Sequence, residues 1–136
     1  MTATIVLDAS AAVEIALNTS RGKALARLLP PQPSLWVPEH YFGEVTGALR
    51  RLELIEHKID TVTAAAALRA VLALPTRRVN VKPLVDEAWT YRFNITIADA
   101  FYVVVAKHLD CPLLTGDRRL ASAPTLPISV LYLAGT

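Results

Sequence analysis

The sequence has little cysteine and no long apolar run. Its single cysteine, Cys111, excludes an intramolecular disulfide and a zinc cluster built from cysteine ligands. No apolar run approaches the roughly 18 residues that a membrane-spanning helix requires. The amino terminus lacks the basic start, apolar stretch and cleavage site of a secretory signal. We therefore expect a cytoplasmic protein with no membrane segment.

Glycine and histidine are also scarce. The five glycines form no phosphate-binding loop. His40, His57 and His108 lack the spacing of metal ligands, and we predict that they lie on the surface. A single cysteine with scattered histidines gives no evidence for a thiol nucleophile. These absences leave the acidic residues as the main candidates for chemistry.

A strong excess of either charge is missing as well. The net charge of +2 is too small to predict nucleic-acid binding by itself. If several acids gather in one site, however, the remaining surface is more basic than the total indicates. The basic pairs are either part of such a surface or solvated helix ends; they are Arg50-Arg51, Arg77-Arg78 and Arg118-Arg119.

Apolar residues are abundant. They make up 53% of the 136 residues, and the mean hydropathy is +0.37. This length predicts a single domain over residues 1–136 with a sizeable core. The apolar surplus predicts a subunit interface.

The stretch at residues 4–10 organises the chain. An aliphatic run from Ile5 to Leu7 ends at Asp8, and small residues and a helical pattern follow. Continuous apolar character predicts a strand buried on both faces, as in a parallel sheet covered by helices. Asp8 then lies at the carboxyl end of a strand, where open α/β sheets bind ligands.

Strand and helix patterns alternate along the rest of the chain. We predict helices at residues 10–17 (with Ser10 as a cap), 21–29, 39–56, from 61 or 63 to before Pro75, 83–91, 96 to about 109, and 118–121. We predict further strands at residues 35–37, 78–81, 112–115 and 128–133. This alternation predicts an α/β fold, with helices on both faces of a mostly parallel sheet.

Four acids occupy similar places in this pattern. Asp8 and Asp117 end buried strands, whereas Glu44 and Asp99 fall on apolar helix faces. Each has a structural alternative. Asp8 and Asp117 are also placed as helix caps or turn residues, and Asp99 stands at capping-box spacing from Thr96. Glu44 has the weakest alternative, because an unpaired acid on an apolar stripe costs several kcal/mol.

The joint pattern predicts a metal site. Carboxylates in one pocket raise one another's pKa, and no Lys or Arg is evident beside Asp8 or Asp99 to offset them. A divalent cation resolves that conflict, and an all-oxygen site favours Mg²⁺ or Mn²⁺ over zinc. The hydroxyls of Ser10 and Thr115 are candidates for further oxygen contacts or for holding a metal-bound water. Cap or turn roles are the alternative for both.

Three segments resemble a known family. Ile5-Val6-Leu7-Asp8-Ala9-Ser10-Ala11 resembles the opening of PIN-domain proteins, and Glu44 matches their second acid. The segment from Ala98 through Asp99 to Ala106 resembles their third-acid helix, and Pro112 through Asp117 to Leu120 resembles the segment with the fourth acid. The match covers nearly the whole chain, and the short length is most similar to VapC toxins of toxin–antitoxin pairs.

The resemblance implies a fold and an activity. The fold is an α/β/α sandwich with a five-stranded sheet of order 3-2-1-4-5. The activity is that of a Mg²⁺- or Mn²⁺-dependent endoribonuclease, inhibited by a VapB-type antitoxin that covers the site. A homodimer is also implied, with a higher hetero-oligomer in the antitoxin complex. Some PIN nucleases carry a further acid where this chain has Arg119, which puts a complete second metal site in doubt.

These expectations define a mechanism and its rivals. Asp8, Asp99 and Asp117 are predicted to bind the first metal, and Glu44 a second metal or the attacking water. Arg118 or Arg119 is a candidate contact for a flanking phosphate. One rival is a catalytically silent PIN-like module that binds RNA or protein, although all four acids are present. Another is a metal-dependent nuclease that acts on DNA or structured ends, because no residue reports the recognition of a 2′-hydroxyl.

Overall fold

A five-stranded parallel sheet forms the centre of the protein. The structure is a computed structural model that describes residues 3–133. The strands are β1 (Thr4–Leu7), β2 (Ser34–Pro38), β3 (Thr76–Val79), β4 (Leu113–Leu114) and β5 (Val130–Leu131). Their order is β3-β2-β1-β4-β5 and all four pairings are parallel. The predicted strand order is therefore confirmed.

The helices fill the connections between the strands. Seven α-helices lie within residues 3–133: α1 (Ala9–Leu17), α2 (Ser20–Ala26), α3 (Tyr41–Arg50), α4 (Thr61–Ala73), α5 (Val85–Trp89), α6 (Ile97–Leu109) and α7 (Arg118–Ala121). A π-helical turn, Arg51–Ile55, continues α3, and a 3₁₀ turn, Lys82–Leu84, precedes α5. In the described part of the chain, no helix is both long and apolar enough to cross a bilayer.

The central strand is covered on both faces. Ile5, Val6 and Leu7 are at most 3% exposed, although neighbouring strand residues point to opposite faces of a sheet. The buried run in β1 therefore needs a layer of helices on each side, as the α/β/α prediction requires. Helix α6 contributes the most to this core, with six buried residues between Ala100 and Ala106. Two large side chains, Tyr41 and Tyr102, are fully buried.

Helix α2 packs closely against α1. A Cβ added at Gly22 would lie 1.9 Å from the carbonyl oxygen of Glu14, so a larger residue would separate the two helices. The helix begins at a threonine cap, since Thr19 Oγ1 accepts a hydrogen bond from the Gly22 amide at 2.9 Å.

Several predicted boundaries are wrong. The first helix begins at Ala9, with Asp8 rather than Ser10 at the cap position. The helix predicted from residue 39 begins at Tyr41, because the Glu39 amide bonds to Val79 O and extends the pairing of β2 with β3. That helix also ends at Arg50, where the Glu56 amide reaches back to Arg51 O in a wider π turn. The helix predicted at residues 83–91 is the 3₁₀ turn followed by the short α5.

The last two strands are shorter than predicted. β4 and β5 have two residues each, paired as Leu113 with Val130 and Leu114 with Leu131. β3 begins at Thr76 and ends at Val79, two residues earlier than predicted at each end, because its register with β2 pairs Thr76 with Leu35. These shifts do not alter the strand order or the position of Asp8.

Candidate active site

Asp8 and Asp117 lie near one another because the strands that precede them, β1 and β4, are neighbours in the sheet. Leu7 of β1 pairs with Leu114 of β4, and the Asp8 amide donates to Leu114 O at 2.9 Å. The two strands are parallel, so Asp8 and the residues after β4 emerge at the same edge of the sheet. That edge also receives Glu44 from the first turn of α3 and Asp99 from the first turn of α6.

All four predicted acids line one cleft. Its volume is about 380 Å³, and its walls come from Asp8 at the end of β1, from α1, α3, the π turn and α6, and from the loop after β4. The lining residues are Asp8, Ala9, Ser10, Gly43, Glu44, Gly47, Ala48, Arg51, Asp99 and Asp117. An added Cβ at Gly43 or Gly47 would meet nothing within 4 Å, so the cleft has open space beside these two glycines of α3.

Asp8 is held by two hydroxyl groups. Ser10 Oγ and Thr115 Oγ1 each donate to Asp8 Oδ2 at 2.6 Å. The same two oxygens accept bonds from the amides of Gly116 and Asp117, both at 2.9 Å. Asp8 is only 4% exposed, so these bonds compensate part of the cost of burying its carboxylate. Ser10 and Thr115 therefore position Asp8 and the loop after β4.

Glu44 has a hydrogen-bond partner and a nearby imidazole in the structure. Tyr102 Oη donates to Glu44 Oε1 at 2.7 Å, and His40 Nε2 lies 3.4 Å from the same oxygen. His40 Nε2 is also 3.1 Å from Ala98 O, which can only accept, so this nitrogen carries a proton. The prediction that His40 lies on the surface is wrong: its ring packs on Phe101 and Tyr102, with centroids 5.4 and 5.0 Å away.

The remaining two acids combine capping with a place in the cleft. The Asp99 amide donates to Thr96 Oγ1 at 3.1 Å, which is the first half of the predicted capping box. Asp117 Oδ1 accepts from the Arg119 amide at 2.9 Å and so caps α7. Asp117 therefore caps a helix and lines the cleft, whereas Asp99 lines the cleft and its amide is bound by the Thr96 cap.

Burial and neighbouring carboxylates raise the pKa of two acids in the cleft, Asp99 and Asp8. Burial raises the pKa of Asp99 to about 6, and the charges of Asp8, Asp117 and Glu44 add to this shift, while the bond with Thr96 opposes it. Burial also raises the pKa of Asp8, against the hydrogen bonds from Ser10 and Thr115 and together with the charges of Glu44 and Asp117. The cleft is therefore a place where added positive charge is favourable.

Burial and nearby carboxylates also raise the pKa of the two buried tyrosines, Tyr41 and Tyr102. Burial, and then the charge of Asp8, raises the pKa of Tyr41 to about 12. The pKa of Tyr102 is raised by burial and by the charges of Asp8 and Glu44. Tyr102 therefore keeps its proton at neutral pH and acts as a donor to Glu44.

The donors have the chemistry of a site for a hard cation. The acids and hydroxyls supply oxygen only, which suits Mg²⁺ or Mn²⁺. Within residues 3–133, however, no three His, Cys, Asp or Glu side chains stand close enough together to enclose an ion. The carboxylates of Glu44, Asp8 and Asp117 are instead bonded to Tyr102, Thr115 and the Arg119 amide. The donor set fits the ion, and binding requires side-chain movement.

Basic residues lie at the rim of the cleft. Arg51 lines the cleft and its guanidinium is 3.2 Å from Glu56, with 59% of its side chain exposed. Arg119 lies on an adjoining groove that shares Asp99 with the cleft. Arg118 is exposed at the start of α7 and lines neither cavity.

Comparison with known proteins gives the family. Residues 5–126 match the PIN domain. The chain belongs to the PIN-domain family. Ribonuclease VapC12 of Mycobacterium tuberculosis is 40% identical over 119 residues, which cover 88% of this chain and 91% of that protein. Ribonuclease VapC1 of the same organism is 39% identical over 92% of this chain and 94% of its own length. These relatives place the chain among the VapC ribonucleases.

A solved structure supports the fold. The crystal structure of Mycobacterium tuberculosis VapC20, a toxin that cleaves the sarcin–ricin loop, aligns with a TM-score of 0.64 at 20% identity. The alignment covers 87% of this chain and 93% of that one. The predictions of a PIN fold, a VapC-type family and an endoribonuclease of the toxin class are thus confirmed.

Sequence reasoning assigned no role at the cleft to three residues that lie in it or beside it. His40 and Tyr102 contact Glu44, and Arg51 lines the cleft. A helical-spacing signal was available for each, because His40 precedes Glu44 by four residues and Tyr102 follows Asp99 by three. Arg51 follows Glu44 by seven, or two helical turns. Extending the acid stripe along each helix would have found them.

Proposed function

We propose that this VapC ribonuclease hydrolyses RNA phosphodiester bonds at the acid cleft, with Mg²⁺ or Mn²⁺ as its cofactor. The observation that carries the proposal is the set of four acids in one cleft with a deficit of positive charge. The pKa of Asp99 is raised to about 6, first by burial and then by the neighbouring carboxylates, which is consistent with that deficit. Perturbed acids in a cleft are typical of catalytic sites.

Asp8, Asp99 and Asp117 are the proposed ligands of the ion. Asp8 would bind through Oδ1, because Oδ2 already accepts from Ser10 and Thr115. Asp99 and Asp117 would draw toward Asp8 as the ion offsets their repulsion. A bound divalent cation supplies an acidified water and neutralises charge on the phosphate. Glu44 would bind a second ion or orient the attacking water.

The surrounding residues position these acids and the substrate. Tyr102, protonated at neutral pH, holds the Glu44 carboxylate at 2.7 Å. Arg51, Arg118 and Arg119 are proposed contacts for phosphates that flank the scissile one. Gly43 and Gly47 leave open space on the α3 wall, which allows the RNA backbone to approach.

The partners follow from the family. We propose that a cognate VapB-type antitoxin covers the cleft, and that the protein forms a homodimer in the cytoplasm and a higher hetero-oligomer with the antitoxin. Exposed apolar side chains support a subunit interface, since Leu54 and Ile55 of the π turn are 56% and 58% exposed.

Cleavage of structured RNAs tests the nuclease proposal. Purified protein, free of antitoxin, is incubated with a panel of structured RNAs in Mg²⁺, in Mn²⁺ and in EDTA. We expect cutting at defined positions that stops in EDTA and falls at least about 100-fold in Asp99→Asn, because removing one preorganised group costs that much in many enzymes. Glu87→Gln, which removes a surface carboxylate, is the matched control and should cut like wild type.

Two outcomes contradict the proposal. Equal cutting by Asp99→Asn would assign the activity to a contaminant or to another site. No cutting under any condition, together with no ion uptake in titration calorimetry, would support the silent binding module instead.

A further inference from the structure

A cluster of aromatic rings around an arginine stands beside the acid cleft. The cluster consists of Trp89 at the end of α5 and of Arg92 and Phe93 in the turn that follows. The guanidinium carbon of Arg92 lies 4.7 Å from the centroid of the Trp89 ring and 4.3 Å from that of Phe93. Arg92 Nη1 also donates to Trp89 O at 3.0 Å. The arginine is thus fixed against both rings.

The two rings are unusually exposed for their size. Trp89 is 56% exposed and Phe93 is 80% exposed, although tryptophan and phenylalanine are normally among the more buried residues. The turn that carries them is nonetheless well anchored. The Arg92 amide bonds to Trp89 O, and the Ile95 amide bonds to Tyr91 O, while the Tyr91 and Ile95 side chains pack against the core. The cluster is therefore an exposed surface on a rigid support, as expected of a binding surface.

The cluster is continuous with the site of chemistry. A groove of about 400 Å³ is lined by Arg92, Phe93, Asn94, Ile95, Thr96, Asp99 and Arg119. Asp99 also lines the acid cleft, so the groove and the cleft adjoin at this residue. A chain that runs from the cleft into the groove would therefore pass Phe93.

The composition of the cluster matches an unpaired base. Unpaired RNA bases stack on aromatic rings and on arginine guanidinium planes, and this stacking tolerates any base. The cationic Arg92, together with Arg119 on the same groove, gives the surface the charge that attracts a phosphate chain.

We propose that Trp89, Arg92 and Phe93 form a stacking site for an unpaired nucleobase next to the scissile phosphate. The inference rests on the proposed function, because the stacked base belongs to the RNA strand that is proposed to enter the acid cleft. The site holds the substrate and takes no part in bond cleavage, so it sets which RNAs bind and how tightly.

Tryptophan fluorescence tests the site without cleavage. Trp36 and Trp89 are the only two tryptophans, so the variant Trp36→Phe with Asp8→Asn reports on Trp89 alone. The probes are single-stranded hexaadenylate and an abasic ribose–phosphate hexamer of equal charge. We expect hexaadenylate to quench Trp89 and the abasic hexamer to leave it unchanged. Equal quenching by both probes, or quenching by neither, overturns the stacking site.

A second measurement does not depend on the double variant. Binding of labelled hexaadenylate is followed by anisotropy in otherwise wild-type protein in EDTA. We expect Phe93→Ala to weaken binding about ten-fold, in the range seen when one stacking ring is removed. Val62→Ala, on α4 and 78% exposed, is the matched control and should bind like wild type. Unchanged binding in Phe93→Ala overturns the proposal, and a simultaneous loss of dimer would assign Phe93 to a contact with a second copy.

Kinetics separate this inference from the nuclease proposal. On an RNA that the wild type cuts, Phe93→Ala should raise KM about ten-fold and leave kcat unchanged. The reason is that the stacking contact is the same in the bound substrate and in the transition state. Normal cutting by Phe93→Ala at low RNA concentration refutes the stacking site alone. Quenching of Trp89 without metal-dependent cutting refutes the nuclease proposal alone.

Discussion

The two ends of helix α6 place carboxylates in opposite surroundings. At its amino-terminal end, Asp99 shares a cleft with Asp8, Glu44 and Asp117. At its carboxyl-terminal end, Lys107 and His108 contact the two oxygens of Glu87 at 2.9 and 2.8 Å. Hydrogen bonds from His108 and Lys107 lower the pKa of Glu87, whereas burial and neighbouring acids raise the pKa of Asp99.

The difference separates a carboxylate that is offset by basic partners from one that is perturbed by burial and neighbouring acids. Glu87 has two basic partners on a neighbouring helix and lies near the surface, so its charge is compatible with the folded state. The acids of the cleft have hydroxyl and amide partners but remain close to one another, and the fold retains them at a cost. A cost of this kind is expected where a ligand later supplies the missing charge.

Replacing the central acid should have the largest effect. Asp8→Asn keeps the shape of the side chain, and its amide oxygen can still accept from Ser10 and Thr115. We expect RNA cleavage to fall at least about 100-fold. The melting temperature of metal-free protein should equal or exceed that of wild type, because the variant buries no charge. Calorimetry and gel assays on one preparation check both, and a lower melting temperature would contradict the electrostatic account of Asp8.

The pH dependence of stability should show an intermediate effect. The folded-state pKa of Asp99, about 6, exceeds its ordinary value of 3.8, so the folded state binds its proton more tightly. Metal-free protein should therefore lose stability as the pH rises from about 4 to about 7. Urea unfolding in EDTA measures this loss, and Asp99→Asn should reduce it. Added Mg²⁺ should restore stability at about pH 7 by binding the folded state.

A result of the opposite sign would refute the assignment of charge in the cleft. If Asp99→Asn leaves the pH dependence unchanged, the carboxylate does not titrate in this range. If Mg²⁺ protects Asp8→Asn as well as wild type, the ion binds elsewhere.

The ion pairs of Glu87 with Lys107 and His108 should give the smallest effect on stability, and its pH dependence should have the opposite sign. The lowered pKa of Glu87 means that its contribution is present above about 4.5 and is lost as the pH falls further. Glu87→Gln should shift the melting temperature at neutral pH by no more than about 3 °C, because exposed ion pairs contribute little. Thermal unfolding at about pH 7 and pH 3.5 checks this, and a larger shift at neutral pH would show that the pair is more than a surface contact.

Much of the architecture was predictable from local pattern. The buried run Ile5–Leu7, the helix after Thr96 and the acids at the ends of β1 and β4 were all identified from the order of apolar residues. The boundaries were less predictable, since they depend on partners distant in sequence. Glu39 reads as helical, yet its amide bonds to Val79 O and prolongs the pairing with β3.

The hydrogen-bond partner of each polar group was the least predictable feature. Glu44 stands on an apolar stripe with no evident partner nearby in sequence, and its partner Tyr102 lies 58 positions later in the chain. Thr115, 107 positions from Asp8, donates to the same oxygen as Ser10. No local pattern specifies such contacts, because they arise only when β1 and β4, or α3 and α6, become neighbours.

The sequence by itself determined which acids line the cleft and which elements carry them, because burial periodicity and strand ends are local properties of the chain. Only the tertiary structure decided how those acids are held: Asp8 by two hydroxyls, Glu44 by a buried tyrosine, and Asp99 between the cleft and the aromatic groove. Charge interactions and hydrogen bonds depend on distances across the fold. Those distances exist only after the parallel sheet has brought its carboxyl edge together.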